Sequence, residues 1–266
     1  MQIQISHTTE YLYTAPVSYA LQKVRLRPLS SAVQEVIDWN IVVKGGKVEN
    51  QYLDHYGNHV DLVSLDPGGQ ALSIMASGTV ETKNASGVLG QIYTRAPLWH
   101  FREPTLSTEP GPEIRDISGI LKGYDNPLDG LHGLSAAILE RVPYVLGNTH
   151  SHTTAEEALT GGGGGVCQDH AQIFISAARV AGIPARYVSG YLMMNDRVDQ
   201  DATHAWAEAH VDGLGWVGFD ISNGYSPDER YVRIAIGRDA RDASPIEGLR
   251  LGSAEEELIV SLQVQQ

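Results

Sequence analysis

The sequence predicts an α+β chain: an antiparallel β-sandwich-like first half, then a half in which helices pack on an antiparallel sheet. Three observations carry this. Alternating apolar segments recur up to about Lys83, apolar residues at helical spacing follow Pro127, and an alternating, aromatic-rich hairpin spans 203–220.

In the first half the alternating segments are 3–13, 17–29, 35–43, 60–65 and 72–80. Turn chemistry separates them at Lys44-Gly45-Gly46-Lys47, Tyr56-Gly57-Asn58 and Asp66-Pro67-Gly68-Gly69. Residues 94–123, with Pro97, Pro104, Pro110, Gly111 and Pro112, read as an irregular connection packed on the surface. The expected division is a β-rich domain over 1–105 and a second domain over 106–266, whose last strand, 258–264, closes the β-rich part.

The second half opens with Leu128, Leu131, Leu134, Ile138 and Leu139 at helix spacing, a run that Pro143 ends. Thr154-Ala155-Glu156-Glu157 reads as a capping box that starts a short helix. A further helix begins at Cys167, carries Ile173, Phe174, Ala177 and Ala178 on its apolar side, and stops at Gly182-Ile183-Pro184. Residues 187–192 are then a strand beside the hairpin, joined to it by a polar, open loop over 195–202.

Composition bounds the function. A chain of 266 residues supports one large or two moderate cores, and a single cysteine excludes an internal disulfide framework or a thiolate metal site. A formal charge of −13 argues against a nucleic-acid partner, since a phosphate-binding surface has to be basic. No apolar stretch approaches the roughly 18 residues of a membrane span, and Met1-Gln2-Ile3-Gln4-Ile5-Ser6-His7 lacks the pattern of a signal peptide. The expectation is a cytoplasmic protein with no membrane partner. Oligomeric state is not fixed by the sequence.

The lone cysteine, Cys167, follows five glycines, Gly161 to Gly165, and Val166, where a loop becomes the first turn of a helix. Unpaired N–H groups and the positive end of the helix dipole favour a thiolate there, and the glycines are expected to keep the sulfur accessible. The run lacks the Gly-Lys-Ser/Thr ending of a phosphate loop. A thiol nucleophile needs a base, and His204 stands near the open end of the hairpin with Asp220 on the other arm. A two-residue turn at Gly213-Leu214 would place His204 across from Asn223 and turn Asp220 to the other face. A three-residue turn from Asp212 to Leu214 opposes Trp206 to Asp220 and makes His204 its same-face diagonal neighbour within roughly 7–8 Å. The three-residue turn, or an equivalent bulge, is expected.

GGGVCQDHA, AGIPARYVSGYL and THAWAEAHVDGLGWVGFD together resemble bacterial transglutaminase-like cysteine peptidases, members of the transglutaminase-like superfamily with a papain-like core. Tyr11-Leu12-Tyr13-Thr14-Ala15-Pro16-Val17, Arg25-Leu26-Arg27-Pro28 and Asp54-His55-Tyr56-Gly57-Asn58 resemble the β-rich region in front of such cores. The resemblance implies a Cys167–His204–Asp220 triad on a papain/transglutaminase-like core, with the nucleophile at a helix N-terminus packed on an antiparallel sheet. Relatives commonly read Asp-Pro-Thr-Asn where this chain has Asp220-Ile221-Ser222-Asn223.

The implied activity is cysteine-dependent hydrolysis of an amide, peptide or isopeptide bond through a thioester, with a peptide or protein as partner and no metal or organic cofactor. The alternatives are a protein-glutamine transamidase and a non-catalytic peptide-binding module. Gly165, Val166, Asp169, Trp206 and Asn223 are the further candidates for binding substrate or the oxyanion. Asp169 is equally well read as a helix-start residue, and Trp206 as core or wall. Glu208 or His210 could line the site, Glu208 more readily as an arginine's partner, and His150-Ser151-His152 reads as a solvated loop rather than a metal site.

Overall fold

The structure, a computed structural model, describes residues 1–92, 95–200 and 202–266. Among these, three antiparallel sheets form. The first is ordered β3 (Gln34–Lys44), β6 (Ala71–Thr82), β1 (Gln2–Tyr13), β14 (Glu256–Gln265), β9 (Asp199–Gln200). The second is ordered β13 (Ile246–Leu251), β2 (Tyr19–Val24), β5 (His59–Leu65), β4 (Gly46–Leu53). The third, which bears the candidate site, is ordered β12 (Tyr231–Gly237), β8 (Ala185–Leu192), β10 (His204–Val211), β11 (Gly215–Phe219), β7 (Val88–Gly90). The helices are α1 (Pro112–Ser118), α2 (Pro127–Arg141), α3 (Ala155–Thr160) and α4 (Cys167–Val180).

The first two sheets bury their alternating apolar faces against each other. Ile3, Ile5, Leu72 and Ile74 from one meet Val24, Val63 and Leu65 from the other in a single core. Tyr191 and Val232 of the third sheet join that core, which fixes the β-rich half to the candidate catalytic sheet. As expected of the 258–264 strand, β14 pairs with β1 in the β-rich part; β13 also pairs there, with β2, while β7 pairs with β11 of the third sheet.

Helix α4 is buried along nearly its whole length. Toward the third sheet it meets Ala205, Ala207 and Ala209 of β10, whose small side chains let the helix axis approach the strand. On its other sides α1, α2 and α3 cover it, with Ile114, Leu131, Leu134 and Leu159 in the shared core. Arg179, near its C-terminus, donates to the carbonyl oxygens of Phe101, Ala185 and Arg238, so the helix is locked by polar bonds as well as by packing. Gly182, at φ +79°, ends it.

Two expectations change, and one strand is added. The 94–123 connection contains α1 and short 3₁₀ turns, and it buries Phe101, Ile114 and Ile117; Thr94 lies outside the described residues. The 195–202 loop is pinned rather than open: its β9 pairs with β14, and Asp199 accepts from Gln263 Nε2 at 2.9 Å. Asp201 lies outside the described residues. Strand β4 carries no alternation, since its side chains are almost all exposed, and nothing local marks it as a strand. Among the described residues no helix is long and apolar enough to cross a membrane.

Candidate active site

Cys167 is the first residue of α4 and is half-buried. Val166 before it is extended, and its N–H donates to Asp169 Oδ2 at 2.8 Å. The same oxygen accepts from Thr149 Oγ1 at 2.6 Å. Asp169 is therefore a buried helix-start residue that ties α4 to the loop before α3, and it is closed to a substrate.

The glycines serve the backbone more than the approach to sulfur. Gly162 and Gly164 adopt φ of +66° and +82°, and a Cβ on Gly164 would sit 2.5 Å from the Pro143 carbonyl oxygen. Gly165 donates to that carbonyl oxygen at 3.0 Å and accepts from Val145 N–H at 2.9 Å. The loop is thus stitched to residues 143–145, and this seam delivers Cys167 to its position.

The hairpin takes the three-residue turn. Val211 pairs with Gly215 and Ala207 with Phe219, a register that sets Trp206 opposite Asp220. Gly213 and Gly215 both have φ +83°, as the turn requires. His204 Nε2 meets Asp220 Oδ2 at 2.6 Å, which leaves Nδ1 as the ring nitrogen free for the thiol. Burial, the largest single influence, pulls the imidazole down. The hydrogen bond and charge of Asp220, together with those of the Cys167 sulfur, outweigh it and carry His204 up to about 10. At neutral pH the ring therefore holds a second proton, the state that suits a neighbouring thiolate.

Asp220 is fully buried and would be pushed up by that burial. It is held below the usual carboxylate range by the His204 bond, by Tyr231 Oη at 2.6 Å, and by Asn223 through Nδ2 at 2.7 Å and N–H at 3.2 Å. A second tie runs outside the Cys167, His204 and Asp220 group. His170 Nε2 meets the Val142 carbonyl oxygen at 2.7 Å and so carries its proton there, leaving Nδ1 to accept from Ser222 Oγ at 2.8 Å. Burial pulls His170 down, consistent with a neutral ring. Because His170 lies on the first turn of α4 and Ser222 just beyond Asp220, this bond sets the helix against the strand that carries the aspartate.

The structure brings Cys167, His204 and Asp220 together and sorts the other candidates. The Gly165 and Val166 N–H groups are both committed, to Pro143 and Asp169, so neither is free to bind an oxyanion. Trp206 is buried behind the site, its ring stacked on His204 at 6.3 Å between centroids and edge-on to Tyr231 at 5.3 Å. Asn223 serves Asp220. Glu208 is wholly buried between Arg186 and Arg233, and His210 packs against Trp216 at the far end of β10, so neither lines the site. His150 and His152 line an open depression beside the glycine loop; among the described residues no group of three or more His, Cys, Asp or Glu could hold a metal.

Sequence reading missed Tyr231, Ser222 and His170 as supports, and Tyr144 and Tyr187 as neighbours of the thiol. Burial first, and then the charge of Cys167, raise both of these phenols.

Residues 117–221, which contain Cys167, His204 and Asp220, match the family model of the transglutaminase-like superfamily, and residues 3–81 match that of the bacterial transglutaminase-like N-terminal region. An uncharacterized protein of Mycobacterium leprae is 26% identical over 276 residues, covering 99% of this chain and 98% of that protein. One of Mycobacterium tuberculosis is 28% identical over 295 residues, covering 98% and 91%. A crystal structure of a candidate cysteine protease from Cytophaga hutchinsonii superposes with a TM-score of 0.75 at 22% identity, covering 100% of this chain and 98% of that one, a likeness of fold. The chain belongs to the transglutaminase-like superfamily, with the bacterial transglutaminase-like N-terminal region in front of its core.

Proposed function

We propose that this protein is a cysteine-dependent amide or peptide hydrolase working through a Cys167–His204–Asp220 triad. One observation carries the reading: His204 is bonded through Nε2 to a buried, thrice-supported Asp220 while its other face answers to the Cys167 sulfur. His204 takes the thiol proton, and the thiolate attacks the substrate carbonyl. The oxyanion that forms is met by the Cys167 N–H, which opens α4 and lacks an intrahelical acceptor. His204 returns its proton to the departing amine or ammonia, leaving a thioester. Water, deprotonated by His204, then attacks the thioester and releases the acid and the thiol.

A peptide suits the surroundings. Tyr144 bridges to Gly165 in parallel, and Tyr144, Val145 and Leu146 present exposed apolar side chains along that seam beside the nucleophile. A cytoplasmic setting belongs to the same reading, because a lone nucleophilic thiol needs a reducing environment; cell fractionation checks it.

Iodoacetamide labelling across pH tests the pair. Cys167 should be modified, and His204→Ala should slow that modification. A screen of peptide and isopeptide libraries should find turnover that vanishes in Cys167→Ala. Turnover that persists in that variant would end the proposal.

A further inference from the structure

A cavity of about 110 Å³ lies between the β-rich half and the back of the third sheet. Arg186 and Arg233 line it, with Ile234 and Ile236 as apolar wall and Ser30 and Ser31 on the side toward solvent. Its charge is unbalanced. The fully buried Glu208 takes Arg186 Nε at 2.6 Å and Arg233 Nε at 2.9 Å, so two permanent cations face one carboxylate.

The surplus is visible atom by atom. Arg186 Nη1 and Nη2 are both buried and have no hydrogen-bond partner among the described residues. Its guanidinium face stacks on Trp216 at 3.8 Å, which satisfies the face of the group and leaves its edge N–H donors. Asn58, the cavity's amide, is already spent on Ile236 and Asp54. Ser30 and Ser31 each accept from a backbone N–H through Oγ, of Val36 and Val33, which leaves their hydroxyl protons to donate. A buried group with four unmet N–H bonds is costly unless something fills them. The cavity thus offers donors, one net positive charge, apolar walls and room for several water-sized groups.

We propose that this cavity is a binding site for a small monovalent carboxylate, held by the Arg186 edge and the Ser30 and Ser31 hydroxyls. A carboxylate matches a guanidinium edge with two parallel bonds, its single charge cancels the surplus, and a short alkyl tail fits the isoleucine wall. The site lies on the sheet face of Trp206 and Glu208 and is separate from the thiol.

Acetate is the probe. In chloride-free and phosphate-free buffer, the thermal midpoint of the wild-type chain should climb with the logarithm of acetate concentration, by about 5 °C once acetate exceeds its dissociation constant a hundredfold. Arg186→Met keeps the volume, leaves Arg233 and Glu208 as a balanced pair, and should flatten that dependence. If this variant does not fold, Ser30→Ala with Ser31→Ala, at the solvent side, should weaken acetate binding about tenfold by calorimetry with the circular dichroism spectrum unchanged. A flat wild-type response, meaning water alone fills the cavity, overturns the proposal. So does an equal rise in wild type and Arg186→Met, or unchanged binding in the double serine variant.

Discussion

Two buried carboxylates face one side of the third sheet, and the protein surrounds them differently. Glu208 sits between two arginines that stay charged at any ordinary pH, so its ion pairs are fixed. Among the described residues Asp220 bonds to one cation, the His204 ring, and fills its remaining capacity with the neutral donors Tyr231 and Asn223. The first array holds β8, β10 and β12 together. The second lends its charge to a proton that can leave. A neutral shell around Asp220 lets His204 gain and lose its proton without a permanent cation competing for the carboxylate.

The sharpest break of this comparison is to remove each carboxylate in turn. Asp220→Ala should cut kcat by on the order of 10⁴-fold while the chain stays folded, because the imidazole loses its orientation and counter-charge. Glu208→Ala should do the reverse, costing about 3–5 kcal/mol of stability in urea unfolding by stranding two buried guanidiniums, with kcat little altered in the molecules that remain folded. A large loss of kcat at full stability in Glu208→Ala would mean the two arrays are not separable.

The neutral shell gives a smaller effect. Tyr231→Phe should lower kcat roughly tenfold with KM unchanged, since it loosens the aspartate rather than the substrate. Steady-state kinetics on a peptide substrate decides it.

The proton that can leave gives a pH signature. His204 has a folded value of about 10, above its ordinary 6.5, so its contribution to stability is complete below about 6.5 and is lost as pH rises through about 10. Asp220 is shifted the other way, and its contribution is lost only as pH falls through its depressed value. In the free enzyme kcat/KM should therefore decline on an alkaline limb near 10. A limb near 6.5 would show that Asp220 does not hold the ring as its geometry suggests.

The smallest expected effect is that of an added amine. Tyr144 is exposed beside Cys167, and the 195–202 segment is pinned to β14, so no element in the described residues would shut water from the proposed thioester. Millimolar primary amine should leave substrate hydrolysis nearly unchanged. Faster incorporation of amine than hydrolysis of a glutamine peptide would favour transamidation.

What the sequence disclosed was local. The hairpin register follows from alternation across a glycine-bounded turn, so His204 and Asp220 could be paired from 203–220 alone. The start of α4 was likewise readable from the Gly-run, Val166 and Cys167. The partners of those residues were hidden because they arrive through tertiary pairing. Tyr231 reaches Asp220 from β12, on the far side of β8, and no period within Tyr231–Gly237 says which residue its hydroxyl will meet. Ser222 stood in the segment that departs from the family pattern, yet its bond to His170 depends on how α4 is set against the sheet. The glycines were legible as a loop, but the need for Gly164 was not, since the crowding it avoids comes from Pro143 and Val145, which only the fold brings beside it.

The pairing of β14 with β1 bears on how the chain is made. Gln4 and Gln265 lie side by side although 261 positions separate them, so the first sheet keeps an open edge along β1 until β14 has been made. That edge is a template for wrong partners while it waits. Closure of so long a loop makes slow, late folding of the β-rich half the expected order, with the helix-bearing half, whose contacts are nearer in sequence, in place beforehand.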